Sequence, residues 1–453
     1  MKNTMNMTTG SPLRLLFTFA LPLMFGNIFQ QLYTVVDTAI VGQGVGMAAL
    51  AALGSVDWLN WMFLGIAQGF TQGFCVRIAQ KYGQKDETGL KQMVAGSMIL
   101  SVLLSVVGTA AGQIFLPQFL MILKVPQELK AMATLYARII LGSFPAMIFF
   151  NLCSSCLRAV GDSKTPLYAM ITAALTNIAL DCLAVFVLDW GIAGAAAATV
   201  FSQCLSGFIC ARKIVKTPLL RFDKSHIRPG CRCIPQLLRI GAPIAGKNIV
   251  ISLGGMYVQS VVNGFTMSFI AGFTATNKLY GVLEIAAISY GYAVTTFVGQ
   301  NYGAGQMQRI KKGMKSAVLL SICTAIVISG LMFLFGRNIT MLFISKEVAH
   351  LAVEAGNTAY QYLCAMSIML PALYLLYAYQ AALQGIGNAS ASMKSGIIEL
   401  IFRVSLSTLV AYTGFQEGLF IAEVSAWSSA ALYLALQYYY DIRKISKKEL
   451  PYE

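Results

Sequence analysis

Asp37, Asp57, Asp181, Glu284, Glu399 and Glu423 each lie inside a run of apolar residues long enough to cross a lipid bilayer. A charged carboxylate at mid-bilayer costs at least about 2.5 kcal/mol even on insertion scales, so each needs a partner or a task. Asp181 follows Asn177 by four residues, which on a helix sets their oxygens on one face, a turn apart, where they can share a ligand. Carboxylates and an amide carbonyl are hard oxygen donors suited to a small cation, and close carboxyls in low dielectric also take up a proton. The chemistry on offer is the loading and unloading of H+ or Na+ inside a membrane. Such groups also serve as plain hydrogen-bonding links between helices, yet a link rarely needs an ionisable group.

Other constellations are weaker. Glu284 has Lys278 six residues before it, a poor helical spacing for contact, and Lys247 is a second candidate partner. Glu284 with Lys278 reads either as a further coupling or substrate site or as a structural ion pair. Glu399 and Arg403, four apart, are spaced to neutralise each other, whereas Glu423 has no partner evident from spacing. The two histidines, His226 and His350, fall outside the apolar runs, so coupling is left to carboxylates. Cys153 and Cys156 form a CxxC without the further ligands of a zinc site. GAPIAGKN (241–248) approaches a phosphate-binding loop but has Asn248 for the hydroxyl, contains Pro243 and opens a membrane helix with no strand before it. No HExxH or GxSxG is present, so an enzyme is not indicated and no cofactor is expected beyond the coupling ion. The net charge of +15 comes from cations in short loops rather than from a nucleic-acid-binding motif, so no nucleic-acid partner is expected.

The elements that must hold these groups are membrane helices. Hydrophobic residues make up 57% of the 453-residue chain and charged residues 11%, against about one-quarter charged in soluble domains. Apolar windows fall near 15–41, 48–75, 93–117, 130–156, 165–188, 191–212, 236–262, 274–300, 315–336, 356–384, 393–413 and 417–440. These are too long and too unalternating for barrel strands, and backbone groups in lipid must be satisfied within each segment, so they predict twelve transmembrane helices. Basic residues collect in every second loop (Arg77, Lys81 and Lys85; Arg158 and Lys164; Arg309, Lys311 and Lys312) and in the tail from Arg443 to Lys448, which predicts both termini on the cytoplasmic side.

Pro22 lies fifteen residues before Asp37 in the first window, where it removes one helix hydrogen bond and permits a bend, either a fixed kink or a hinge that loading of Asp37 would bias. Gly65, Gly69 and Gly73 form a small-residue ridge suited to close helix packing, with Gln68 and Gln72 beside it as candidate cavity-lining groups. Tyr33, Trp58, Trp61, Tyr280, Tyr290 and Tyr292 are candidates for an aromatic pocket that attracts flat cations.

The polar, Pro-containing stretch 215–235 reads as a cytoplasmic linker between an N-terminal lobe (1–214) and a C-terminal lobe with its tail (236–453). The lobes repeat. RIAQKYGQKDETGLKQ (77–92) matches FVGQNYGAGQMQRIKK (297–312), LPLMFGN (21–27) matches APIAGKN (242–248), and LRAVGDS (157–163) matches LQGIGNA (383–389), in the same order. Six helices per copy is an even number, so the fold class is an all-α integral membrane protein of two parallel six-helix repeats, with substrate expected between them near mid-membrane.

GNIFQQLYTVVDTAIVGQ (26–43), the two YG loops and CLRAVGDSKTP (156–166) together resemble the multidrug and toxic compound extrusion (MATE) family, and the similarity covers essentially the whole chain. The resemblance implies a two-lobed, alternating-access antiporter of the cell membrane, acting as a monomer and exchanging small amphipathic or cationic organic compounds for H+ or Na+. It also implies a cation pocket built from an aspartate on helix 1, an asparagine and an aspartate on helix 5 and a threonine on helix 6. The matching positions are Asp37, Asn177, Asp181 and Thr199. A lipid-linked oligosaccharide flippase of the same superfamily is the alternative, for which Lys247 and Lys278 would supply cationic groups.

Overall fold

A computed structural model describes residues 5–123, 125–341 and 349–449. The described residues form α1 (Pro12–Gly44), α2 (Met47–Gly83), α3 (Glu87–Ile122), α4 (Gln127–Gly142), α5 (Phe144–Ala159), α6 (Lys164–Cys182), α7 (Gly191–Val215), α8 (Ile227–Val262), α9 (Met267–Leu283), α10 (Ile285–Gly303), α11 (Met307–Met341), α12 (Ala349–Gly385), α13 (Ser390–Thr413) and α14 (Gly418–Glu449). Eleven spans are long and apolar enough to cross a bilayer, and α4 with α5, bent by 40°, makes the twelfth. The bend has a local cause. Pro145 in the first turn of α5 has no N–H to continue the α4 ladder, and Ser143 closes α4 by donating its N–H to Ile139 and Ile140.

The twelve expected spans are all present, and several helices outrun their apolar windows. α2 continues from the window's end at 75 to Gly83, through Arg77 and Lys81. Hydropathy marks only the stretch that needs lipid, whereas a helix satisfies its own backbone into the polar interface as well. The expected linker is a turn only as far as Asp223; a short 3₁₀ turn covers Lys224–His226, and α8 starts at Ile227. Pro229 falls in the first turn of α8, where a missing N–H costs nothing, so punctuation that reads as a boundary opens a helix.

The chain divides into two compact units, Met1–Thr8 with Leu21–Asn248 (unit 1) and Thr9–Ala20 with Ile249–Glu453 (unit 2). In unit 1, α2 packs on α3, α4 and α5, α5 on α7, and α6 on α7. Val56, Leu59, Phe63, Leu116 and Phe144 centre one core cluster, and Phe74, Ile78, Met93, Leu152 and Leu157 a second. In unit 2, α12 packs against α9, α10, α11 and α14. Its aromatic rings stack in a column, Phe269 on Phe420 (5.9 Å), Phe420 on Tyr362 (4.8 Å) and Tyr362 on Phe273 (4.7 Å). The outward faces are apolar: Val102, Val106 and Val107 on α3 and Ile326, Val327 and Leu334 on α11 are exposed, as lipid contact requires.

The repeat reaches individual main-chain hydrogen bonds. After α2, Gln84, Lys85 and Asp86 donate to Gln80, Tyr82 and Lys81; after α10, Ala304, Gly305 and Gln306 donate to Gln300, Tyr302 and Asn301. The turn requires a left-handed residue, Lys85 (φ 57°) in one copy and Gly305 (φ 69°) in the other. Likewise Gly161 and Asp162 donate to Arg158 and Leu157, as Gly387 and Asn388 do to Gln384 and Leu383.

Candidate functional site

α6 brings Asn177 and Asp181 to one face, a turn apart, where they are 1% and 0% exposed. The helix loosens immediately beyond. Leu183–Val187 is a π-turn, closed by Leu188 donating to the Leu183 carbonyl at 3.0 Å, and such widened turns are frequent at functional positions. Small residues bring α7 close to this turn: a Cβ on Gly194 would lie 2.8 Å from Ala184 Cβ, so only glycine fits. One turn further along α7, Thr199 donates to the Ala195 carbonyl (3.1 Å) and accepts a long hydrogen bond from Asn177 Nδ2 (3.5 Å).

Asp37 on α1 is 9% exposed and lies near enough to Asp181 for the two carboxyls to act on each other electrostatically. Both Asp181 oxygens, Asp37 Oδ1 and Asn177 Oδ1 are buried and receive no donor from the described residues. Buried acceptors without donors are expensive, and a proton or small cation among them would satisfy several at once. No group of three or more His, Cys, Asp or Glu among the described residues could hold a metal ion, so any cation here must use the mixed carboxylate, amide and hydroxyl set. Asp37, Asn177, Asp181 and Thr199 therefore lie together in unit 1. Pro22 stands inside α1, where its ring removes the hydrogen bond to the Thr18 carbonyl.

Sequence reasoning did not single out Tyr136. It lies on α4 close enough for the charges of Asp37, Asp57 and Asp181 to act on it. A tyrosine in an apolar span carries no signal of such a neighbourhood, because only the tertiary fold brings α4 to α1 and α6.

A small, partly open cavity lies beside Asn177 and Thr199. Asn177 and Thr199 line it together with Tyr33 and Gln68, whereas Asp37, Asp181 and Gln72 do not. The other aromatic candidates lie elsewhere: Trp61 is 54% exposed, Tyr280 stacks on Trp427 at 5.4 Å and Tyr290 bonds Thr324 at 2.9 Å.

In unit 2, Glu284 is not in the middle of a helix. It is the junction between α9 and α10, where Tyr374 caps the Leu283 carbonyl (2.9 Å) and Tyr377 donates to Glu284 Oε2 (3.1 Å). Lys278 is exposed on α9. Arg403 takes Glu423 as its main partner, at 3.0 Å from Nη2 and 3.1 Å from Nε, with Glu399 more distant at 3.9 Å. The expected neutralisation of Glu399 by Arg403 is thus shared with Glu423, from a helix that sequence spacing cannot relate to α13. The glycine ridge packs as expected. Gly65, Gly69 and Gly73 press on Asn248, Ala245 and Gly241 of α8, and Asn248 Nδ2 donates to the Gly65 carbonyl at 2.7 Å.

Comparison with known proteins places these features in context. The MatE family profile matches residues 22–183 and 243–409. Probable multidrug resistance protein YoeA of Bacillus subtilis is 30% identical over 73% of this chain and 73% of its own length. A protein of Shewanella oneidensis described as an FAD transporter is 25% identical over 90% of each chain. The solved outward-facing structure of a multidrug resistance MATE family transporter superimposes with a TM-score of 0.90 at 23% identity, covering 99% of both chains.

Proposed function

Because the chain belongs to the MatE family of multispan membrane transporters, we propose that it exports small amphipathic organic compounds, cationic ones among them, in antiport with H+ or Na+ by alternating access. The observation that carries the coupling is the neighbouring pair Asp37 and Asp181, of which Asp37 Oδ1 and both Asp181 oxygens are buried with no donor from the described residues. Occupancy by a proton or a cation, completed by Asn177 and Thr199, offsets the cost of burying them, and release restores that cost. A site with two states of different energy is what exchange against an ion gradient requires. Pro22 is the hinge through which loading of Asp37 bends α1. The protein acts as a monomer in the cell membrane with both termini cytoplasmic, an orientation supported by its basic loops.

Glu284, with Lys278, is proposed as a further coupling or substrate site in unit 2, supported by its position at a helix junction. The lipid-linked oligosaccharide reading needs a cationic cavity for a phosphate, and the unit 1 cavity has no lysine or arginine on its lining.

Purified protein in vesicles, with H+ or Na+ gradients imposed separately, tests the coupling. Asp37→Asn and Asp181→Asn are expected to abolish gradient-driven dye movement, a loss of at least about tenfold, and Pro22→Ala to slow it. Undiminished movement in both aspartate variants would falsify the coupling role, and unchanged rate and ion dependence in Pro22→Ala would remove the hinge.

A further inference from the structure

The turn joining α10 to α11 repeats the turn joining α2 to α3 in backbone but not in charge. In the first copy Asp86 caps α3 and takes Lys81 at 2.8 Å, with Glu87 next to it. The positions matching Lys81, Asp86 and Glu87 in the second copy hold Asn301, Gln306 and Met307, while those matching Gly89 and Gln92 hold Arg309 and Lys312. The second turn thus lacks the acids of the first and carries more cations. Gln306, Gln308, Arg309 and Lys311 line an open groove to which Ser446, near the end of α14, also contributes. Around it Lys312 and Lys315 on α11 and Arg443, Lys444 and Lys447 on α14 are exposed. No salt bridge among the described residues involves Lys311 or any of these five. Asp441, an acid on the same stretch of α14, instead accepts from Asn388 Nδ2 (2.6 Å) and Gln437 Nε2 (2.8 Å). The Arg309 guanidinium lies 5.5 Å from the centre of the Phe297 ring, a contact that holds it in place.

We propose that this groove in unit 2 binds the phosphate of an anionic phospholipid. α11 enters its apolar window at 315 and α14 leaves its own at 440, so Lys311, Arg309 and Ser446 stand at most about 6 to 9 Å outside the hydrocarbon along their helices. The interfacial layer on each side of a bilayer is roughly 5 to 8 Å deep, which is where lipid phosphates lie. Arginine and lysine hold phosphate oxygens by charge-assisted hydrogen bonds, and an anionic headgroup brings the negative charge that this turn lacks. A zwitterionic headgroup carries its own cation and gains less. The proposal goes beyond the transport reading, and neither depends on the other.

Native mass spectrometry of the purified protein in detergent, titrated with phosphatidylglycerol, phosphatidylcholine or inorganic phosphate, tests the groove. Phosphatidylglycerol is expected to bind more tightly than phosphatidylcholine, with Arg309→Gln and Lys311→Gln each weakening its tightest site about fivefold. Lys91→Gln, which removes the cation matching Lys311 in the first copy, should leave that affinity unchanged. Lys311→Gln decides the matter even if loss of the contact with Phe297 keeps the Arg309 variant from folding. Equal affinity for the two lipids, or an equal loss in Lys91→Gln and Lys311→Gln, overturns the assignment, because a diffuse positive surface behaves that way. Displacement of the lipid by inorganic phosphate at similar concentrations would make the ligand a free anion and overturn the membrane source. No ion gradient enters these measurements, so the groove can fail while the coupling tested by the Asp37 and Asp181 variants stands.

Discussion

Asp86 joins α2 to α3 with both of its oxygens. Oδ1 accepts the Gly89 N–H at 2.8 Å and caps α3, while Oδ2 accepts Lys81 Nζ at 2.8 Å. The lysine, and after it the amide, hold this carboxyl below the usual carboxylate range. A carboxyl depressed in the folded state contributes stability above its unfolded value of about 3.9, and loses that contribution as pH falls through the lower folded value. Asp86→Ala should therefore lower the melting temperature at pH 7, by the equivalent of about 1 kcal/mol for a lost cap and surface pair. The gap to wild type should close in melts taken at acid pH below the folded value; a gap equally wide there would refute the account. Single residues were unequally legible. The Asn177–Asp181 spacing announced a shared face, but the nearness of Asp37 to Asp181 followed only from the family resemblance, since nothing local relates α1 to α6. Glu423 had no partner in sequence because Arg403 reaches it across a helix interface.

Among the helices, the α2 ridge shows where pattern suffices. Gly65, Gly69 and Gly73 recur every four residues, and the structure sets backbone against them: a Cβ on Gly73 would lie 2.5 Å from Gly241 Cα and N, atoms that cannot rotate away. Gly73→Val should destabilise the protein by roughly 1 to 3 kcal/mol, whereas Gly54→Ala, on the same helix with nothing within 4 Å, should be neutral or slightly stabilising. Thermal melts of the two purified variants decide it, and equal melting temperatures would contradict close packing at the ridge. The run that imitates a phosphate loop proves to be the other half of this contact, with Gly241, Ala245 and Asn248 on the facing side. Hydropathy located the twelve spans because lipid demands length and apolarity. It was silent on the α4–α5 bend and on the π-turn after Asp181, which arise from a proline and from helix packing rather than from composition.

At the scale of the molecule, internal repetition foretold the paired loops down to equivalent hydrogen bonds, because copies that share a turn must share its backbone conformation. It did not foretell where the compact units divide. The opening stretch of α8, up to Asn248, belongs to unit 1, and Thr9–Ala20, including the first turns of α1, belongs to unit 2. Each copy of the repeat thus contributes the beginning of its first helix to the other's body. Recombination between relatives is constrained by that exchange: a hybrid gene joined within 215–223 would bring a foreign helix against the glycine furrow of α2, while one joined after Asn248 keeps the native wall. Hybrids with a relative such as YoeA should elute as single species in gel filtration when joined after Asn248 and aggregate when joined before Ile227. Equal behaviour of the two would mean that inheritance can treat the halves as separable after all.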